Sequence, residues 1–162
     1  MPERKDMVVV GLGNPLMADE GIGLYVLRGL MAGSERLSDI DYVDLGSSLM
    51  GVVHAIAGRR KAILIDCAYM GEPPATIRRF NPDEVVSVKA MTHFSLHEGD
   101  LLEALGLSQR LGEYPEEVVI YGIQPERIAP GEGLSSALQE RSHDYIDVIS
   151  AEVEGFLVRQ DR

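Results

Sequence analysis

The stretch from Met7 to Gly23, with the sequence MVVVGLGNPLMADEGIG, constrains the fold more than any other part of the chain. Its apolar residues Met7 to Val10 predict a buried strand, and the turn Gly11-Leu12-Gly13 follows directly. After a short loop, the pattern predicts a helix whose first turn carries Asp19 and Glu20. A strand, a glycine turn and a helix in this order indicate the first unit of an α/β sheet, in which ligands bind at the carboxyl ends of the strands.

This stretch does not fit a dinucleotide-binding turn. The third glycine of the GxGxxG pattern would fall on Leu16. A pyrophosphate is held by free amides at the positive end of a helix, whereas Asp19 and Glu20 place negative charge at that end. We therefore expect a cation site here and not an anion site. The structural alternative is that Asp19 is the N-cap of the helix and Glu20 a favourable first-turn acid.

Strands and helices alternate along the rest of the chain. Short apolar or alternating runs predict strands, and apolar residues at helical spacing predict helices. Ser95 and Glu98 have the spacing of a capping box ahead of the helix that carries Leu101 and Leu105. The predicted strands are 7–10, 41–45, 61–65, 76–80 and 118–123, the predicted helices are 20–31, 49–57, one after residue 98 and one after residue 133, and 81–94 is a predicted surface loop.

This alternation predicts a single α/β domain covering residues 1–162. We expect a three-layer sandwich, in which an open, twisted, mostly parallel sheet of about five strands has helices on both faces. The length of 162 residues is enough to bury a sizeable core.

Composition excludes several classes of function. With 26 acidic against 15 basic residues the net charge is −11, which argues against nucleic acid and anionic membranes as partners. The sequence has no long apolar span and no signal-peptide pattern, so we expect a cytoplasmic protein. A single cysteine, Cys67, excludes an internal disulfide and a cysteine-rich zinc site.

Three polar side chains are expected at the same edge of the sheet. Glu20 follows the first strand, Asp66 ends the strand 61–65, and His97 opens a later helix. Two carboxylates and an imidazole suit a divalent cation that accepts oxygen and nitrogen ligands. Alternatively, Asp66 only caps a strand and His97 is a surface residue, and His93 is a substitute ligand for His97.

The other potentially reactive side chains favour structural roles. Cys67 adjoins Asp66 but alternates to the opposite face of the strand, which predicts a buried, inert thiol. His54 and His143 are expected to be packed or exposed helix residues. Ser47 and Ser48 lack the His and Asp pattern of a serine hydrolase.

Several motifs together resemble the hydrogenase maturation endopeptidases, which remove the C-terminal extension of the [NiFe]-hydrogenase large-subunit precursor. The first block is the most specific, and the blocks together span most of the chain. The matching blocks are GLGNPLMADEGIG at 11–23, ILIDCA at 63–68, SLHEGDLLEAL at 95–105, YGIQPE at 121–126 and the stretch 130–134.

The resemblance implies that Glu20, Asp66 and His97 are the nickel-binding residues. It also implies that Asp44 lies near the cleavage site, although this chain has Leu45 and Gly46 where the family often has two glycines. The nickel is expected to be supplied by the substrate, and other divalent ions can take its place. The expected partner is the large-subunit precursor, and we expect a monomer when the protein is free.

Two other functions remain open at the level of sequence. One is a non-enzymatic metal-binding maturation chaperone that uses the same three ligands without cleaving its partner. The other is a nucleotide-binding α/β protein, against which the missing third glycine and the two acidic residues already argue.

Overall fold

The computed structural model of the chain describes residues 3–34, 37–84, 95–96 and 100–162. Its strands are β1 (Met7–Leu12), β2 (Ile40–Gly46), β3 (Lys61–Tyr69), β4 (Ile77–Phe80), β5 (Ser95–Leu96) and β6 (Glu117–Ile123). Its helices are α1 (Ile22–Gly33), α2 (Leu49–Ile56), α3 (Asp100–Arg110) and α4 (Ser136–Gln160), and short 3-10 turns cover Ala18–Gly21 and Leu37–Asp39.

The strands form an open, mostly parallel sheet. Its order is β2-β1-β3-β6-β4, and β5 pairs separately with β3. The first four strands in this order are parallel, whereas β4 runs antiparallel to β6 and β5 antiparallel to β3. This topology confirms the predicted α/β fold, and it places the carboxyl ends of β2, β1, β3 and β6 along one edge.

Successive side chains along the strands point to opposite faces of the sheet, and each face carries an apolar layer. On one face, Val9 and Ile63 pack with residues of α1 and α4. On the other face, Val10 and Leu64 pack with residues of α2 and α3. Strands β1 and β3 are buried on both faces, which explains their continuous apolar runs. The molecule is therefore the predicted three-layer sandwich.

An ionic cluster fastens α4 to the amino-terminal end of the sheet. Lys61 Nζ lies 2.9 Å from Glu152 Oε2, and the Tyr121 hydroxyl donates to Glu152 Oε1 at 2.8 Å. Arg79 donates to the same carboxylate. Burial alone would raise the pKa of Glu152, but the hydrogen bonds from Arg79, Lys61 and Tyr121 outweigh it and lower the pKa to about 2.

Some predicted boundaries were wrong. Helix α1 begins at Ile22, after the 3-10 turn, and not at Glu20. Strand β3 does not stop before Asp66 but continues to Tyr69. Residues Ser95–Leu96 pair with β3, so no helix begins at Leu96 and the predicted capping box does not start one there.

The predicted surface loop 81–94 is only partly described. Residues 82–84 are helical, which corrects the prediction for this part, and 85–94 lie outside the described residues. Within the described part of the chain, no helix is both long and apolar enough to cross a membrane.

Candidate active site

The glycines of the first loop allow α1 to approach the strand ends closely. A Cβ on Gly13, whose φ is +131°, would lie 2.0 Å from the carbonyl oxygen of Glu20. A Cβ on Gly23 would lie 2.3 Å from the oxygen of Leu12 and 2.4 Å from that of Ile65. The glycine pattern is therefore a packing requirement that brings the turn Ala18–Gly21 against the ends of β1 and β3.

Asp19 joins this turn to the loop that follows β6. Its carboxylate is fully buried. Oδ2 accepts hydrogen bonds from the amides of Glu126 and Arg127 at 3.0 and 2.9 Å, and Oδ1 accepts one from the amide of Ser135 at 2.7 Å. The N-cap alternative for Asp19 is therefore wrong, because the carboxylate serves the amides of a distant loop and no side chain caps the turn.

Glu20 lies in the same 3-10 turn and is partly buried. Its amide donates to the carbonyl of Met17 at 3.2 Å, which fixes the backbone of the turn. Because the preceding Asp19 is anchored on the far loop, the backbone that carries Glu20 is held from both sides. Glu20 thus lies in a turn that packs against the carboxyl ends of β1 and β3.

Asp66 lies inside β3 and is fully buried. Its Oδ1 accepts a hydrogen bond from the amide of Cys67 at 2.8 Å. Alternation along the strand directs Cys67 to the α1–α4 face, where its side chain joins the apolar cluster, and Asp66 to the opposite face, as predicted.

The charges of three acidic residues act on the Cys67 thiol. Burial raises the pKa of Cys67 well above its usual range, and the charges of Asp66, Glu20 and Asp19 raise it further. All three carboxylates therefore act electrostatically on the same thiol. Cys67 is buried, as predicted, and a raised pKa keeps its thiol protonated and poorly nucleophilic at neutral pH.

Asp44 lies on β2, which is separated from β3 by β1. It is aligned with Gly11, which is aligned in turn with Ile65 on β3. Asp44 therefore faces the α1 side of the sheet, as Ile65 does, whereas Asp66 faces the other side. Two strand spacings correspond to about 10 Å, so Asp44 and Asp66 are separated by both distance and face.

The Asp44 carboxylate is exposed and loosely held. Its Oδ1 accepts a hydrogen bond from the amide of Gly46 at 3.0 Å. Arg28 Nη2 lies 3.8 Å from its Oδ2, and both side chains are open to solvent. Such a pair contributes little to stability, so the carboxylate is free to exchange this partner for another.

The third predicted ligand, His97, lies outside the described residues, as does its substitute His93. Within the described residues no group of three or more His, Cys, Asp or Glu side chains could hold a metal ion. The ligand set of Glu20, Asp66 and His97 thus stays a prediction. His54 and His143 are exposed on α2 and α4, as expected.

Gln124 is a structural residue of the site that the sequence reasoning missed. Its side chain is buried, and its Oε1 accepts hydrogen bonds from the amides of Met70 at 2.6 Å and Glu72 at 3.4 Å. It therefore shapes the loop after β3. A polar residue placed directly after the apolar run of β6 is the signal that could have identified it.

Comparison with known proteins identifies the family. The family model for the HycI hydrogenase maturation protease matches residues 25–152. The hydrogenase expression/formation protein HoxM of Cupriavidus necator is 31% identical over 122 residues, which cover 75% of this chain but only 60% of HoxM. The hydrogenase 2 maturation protease of Escherichia coli K12 is 26% identical over 136 residues, covering 82% of this chain and 81% of that protein.

The fold agrees with a solved structure. The hydrogenase maturating endopeptidase HybD from E. coli superposes with a TM-score of 0.82 at 23% identity, covering 94% of this chain and 93% of HybD. At that identity the likeness establishes the fold, while the family model covers most of the chain. The chain belongs to the hydrogenase maturation protease family.

Proposed function

We propose that this protein is an endopeptidase that removes the C-terminal extension of a nickel-loaded [NiFe]-hydrogenase large-subunit precursor. The family match over residues 25–152 is the observation that carries the proposal. The name of the E. coli relative describes a protease of hydrogenase 2 maturation, and HoxM is named for hydrogenase expression and formation. The first loop carries Asp19 and Glu20 and lacks the third glycine of a dinucleotide-binding turn, which suits a client that carries a cation.

In this proposal the nickel belongs to the client, and the protein grips it with Glu20, Asp66 and His97. Two close contacts support this grouping: Gly13 lies against the backbone of Glu20, and Gly23 lies against Ile65, which precedes Asp66. Carboxylate oxygens and an imidazole nitrogen suit nickel and also other divalent ions. Nickel held in this way would supply Lewis-acid chemistry at the scissile carbonyl.

The protein's own residues position this site. Asp19 and the glycine contacts hold the backbone of Glu20, and β3 holds Asp66 in a fully buried position. Asp44 is exposed on the α1 side. From there we propose that it contacts the client's main chain near the cleavage site.

The test is mass spectrometry of the client after incubation with the protein. The wild type should yield a shortened large subunit and a released peptide from a nickel-loaded precursor. Glu20→Gln and His97→Ala should each lower the cleavage rate by about 100-fold or more, because each removes a ligand. The matched controls are Glu154→Gln and His143→Ala, since both residues are exposed on α4.

The controls should cleave like the wild type. Normal cleavage by both Glu20→Gln and His97→Ala would show that the ligand assignment is wrong. Binding of the precursor by the wild type without any change in its mass would instead identify a non-enzymatic metal-binding maturation chaperone.

A further inference from the structure

A groove of about 430 Å³ runs along the outer side of α1. We call it the α1 groove; one wall carries Leu24, Tyr25 and Arg28, and the other carries Glu132 and Leu134. Positions 24, 25 and 28 lie on one stripe of α1, and position 21, directly before the helix, continues it. They span about 10 Å along its axis, the length of about three residues of extended chain.

Apolar surface is exposed in this groove. Leu16, at its loop end, is 59% exposed, and Tyr25 is also open to solvent. The buried residues Ala18 and Leu24 also line the groove. An apolar groove of this kind fits a short apolar peptide segment better than a polar ligand.

The two walls are fastened to each other. Gly131 donates its amide to the carbonyl of Leu16 and accepts from the amide of Ala18, each at 2.9 Å. The buried carboxylate of Asp19 adds three hydrogen bonds to the same loop. The groove is therefore formed before any ligand arrives, which lowers the entropic cost of binding.

Arg28 places a positive charge at the end of the groove nearest Asp44, in a protein of net charge −11. Its side chain is 68% exposed and lies 3.8 Å from Asp44, a weak surface pair. The guanidinium can therefore turn to a carboxylate of a ligand at little cost. This end of the groove is therefore chemically suited to an acidic side chain.

We propose that the α1 groove holds a short apolar segment of the client next to the scissile bond, with an acidic side chain of that segment paired to Arg28. The inference rests on the proposed function. The location supports it, because one end of the groove is the loop that leads into Glu20 and the other end adjoins Asp44.

The test is the kinetics of cleavage of the nickel-loaded precursor by groove variants. Leu16→Asp and Arg28→Gln should each raise KM about 10-fold with kcat nearly unchanged, since they weaken binding in the groove and place no new charge beside Asp44. Tyr25→Ala should act in the same direction. The matched controls are Leu111→Asp, at a leucine directly after α3 that is 56% exposed, and Arg159→Gln near the end of α4.

The controls should stay within about twofold of the wild type, as expected for exposed positions away from the interface. Cleavage by the wild type together with unchanged KM in all three groove variants would overturn the groove and leave the proposed function standing. No cleavage by the wild type would overturn both. A wild-type dimer that Leu16→Asp converts to a monomer would assign the groove to a second copy of the chain and overturn its role in client binding.

Discussion

Replacing Asp19 tests how the site is held together. Its buried carboxylate accepts three amide hydrogen bonds, from Glu126, Arg127 and Ser135. In Asp19→Ala these amides lose their acceptor inside the protein. In Asp19→Asn the shape is kept, but one side of the group becomes an NH₂ donor that faces an amide donor, so at least one hydrogen bond is lost.

The magnitude follows from these contacts. A hydrogen bond to a charged group contributes about 1.5 to 3 kcal/mol, and three on one carboxylate are not additive. We expect Asp19→Ala to lower the free energy of unfolding by about 3 to 5 kcal/mol and Asp19→Asn by about 2 to 3 kcal/mol. For a domain whose total stability is about 5 to 15 kcal/mol, either loss is large.

The assay is equilibrium unfolding in urea, with hydrogen exchange at the amides of Glu126, Arg127 and Ser135. In both variants these three amides should exchange faster than in the wild type, and the increase should be larger than at other amides of the loop. Asp147→Asn, at an exposed position on α4, is the control and should change the free energy of unfolding by less than about 0.5 kcal/mol. A change that small in Asp19→Asn, with unaltered exchange at the three amides, would refute the argument.

Three further predictions concern stability and reactivity. Glu152 has a pKa of about 2 in the folded protein against an ordinary 4.5, so the stability it contributes is present above pH 4.5 and is lost as the pH falls toward 2. Glu152→Gln should lower the free energy of unfolding at pH 7 by about 3 kcal/mol. Urea unfolding from pH 7 to 2 should show that this free energy falls less steeply with acid in the variant than in the wild type. Gly23→Ala should destabilise the protein by more than about 2 kcal/mol, because its Cβ would meet two backbone oxygens. Gly155→Ala, where a Cβ meets nothing within 4 Å, should stabilise it by about 0.5 to 1 kcal/mol. Similar thermal midpoints for the two variants would contradict this. The Cys67 thiol should react with a thiol reagent at pH 7.5 only after denaturation, and rapid reaction of the folded protein would contradict its burial and raised pKa.

Much of the fold could be predicted from local patterns. Continuous apolar runs such as Ala62 to Ile65 identified strands buried on both faces, and the stripe of Leu138, Tyr145 and Ile149 identified the last helix. The strand signal is local because burial on both faces favours apolar residues at successive positions. The end of β3 was missed because Asp66 reads as a boundary, while its burial depends on partners distant in sequence.

Glu20 and Asp66 could be proposed as ligands from the sequence because each follows an apolar run, and their role as ligands stays a prediction. Their surroundings could not be predicted. The role of Asp19 could not, since its three amide partners come from residues 126–135, more than a hundred positions away. Likewise, nothing local indicates that Asp44 and Asp66 face opposite sides of the sheet, because this follows from the register of three strands.

The most direct test of the central claim is the mass of a large-subunit precursor after incubation with this protein, measured with and without nickel in the precursor. The account predicts that only the nickel-loaded precursor is shortened. Equal shortening of the nickel-free precursor, or a full-length mass in both samples, would contradict it.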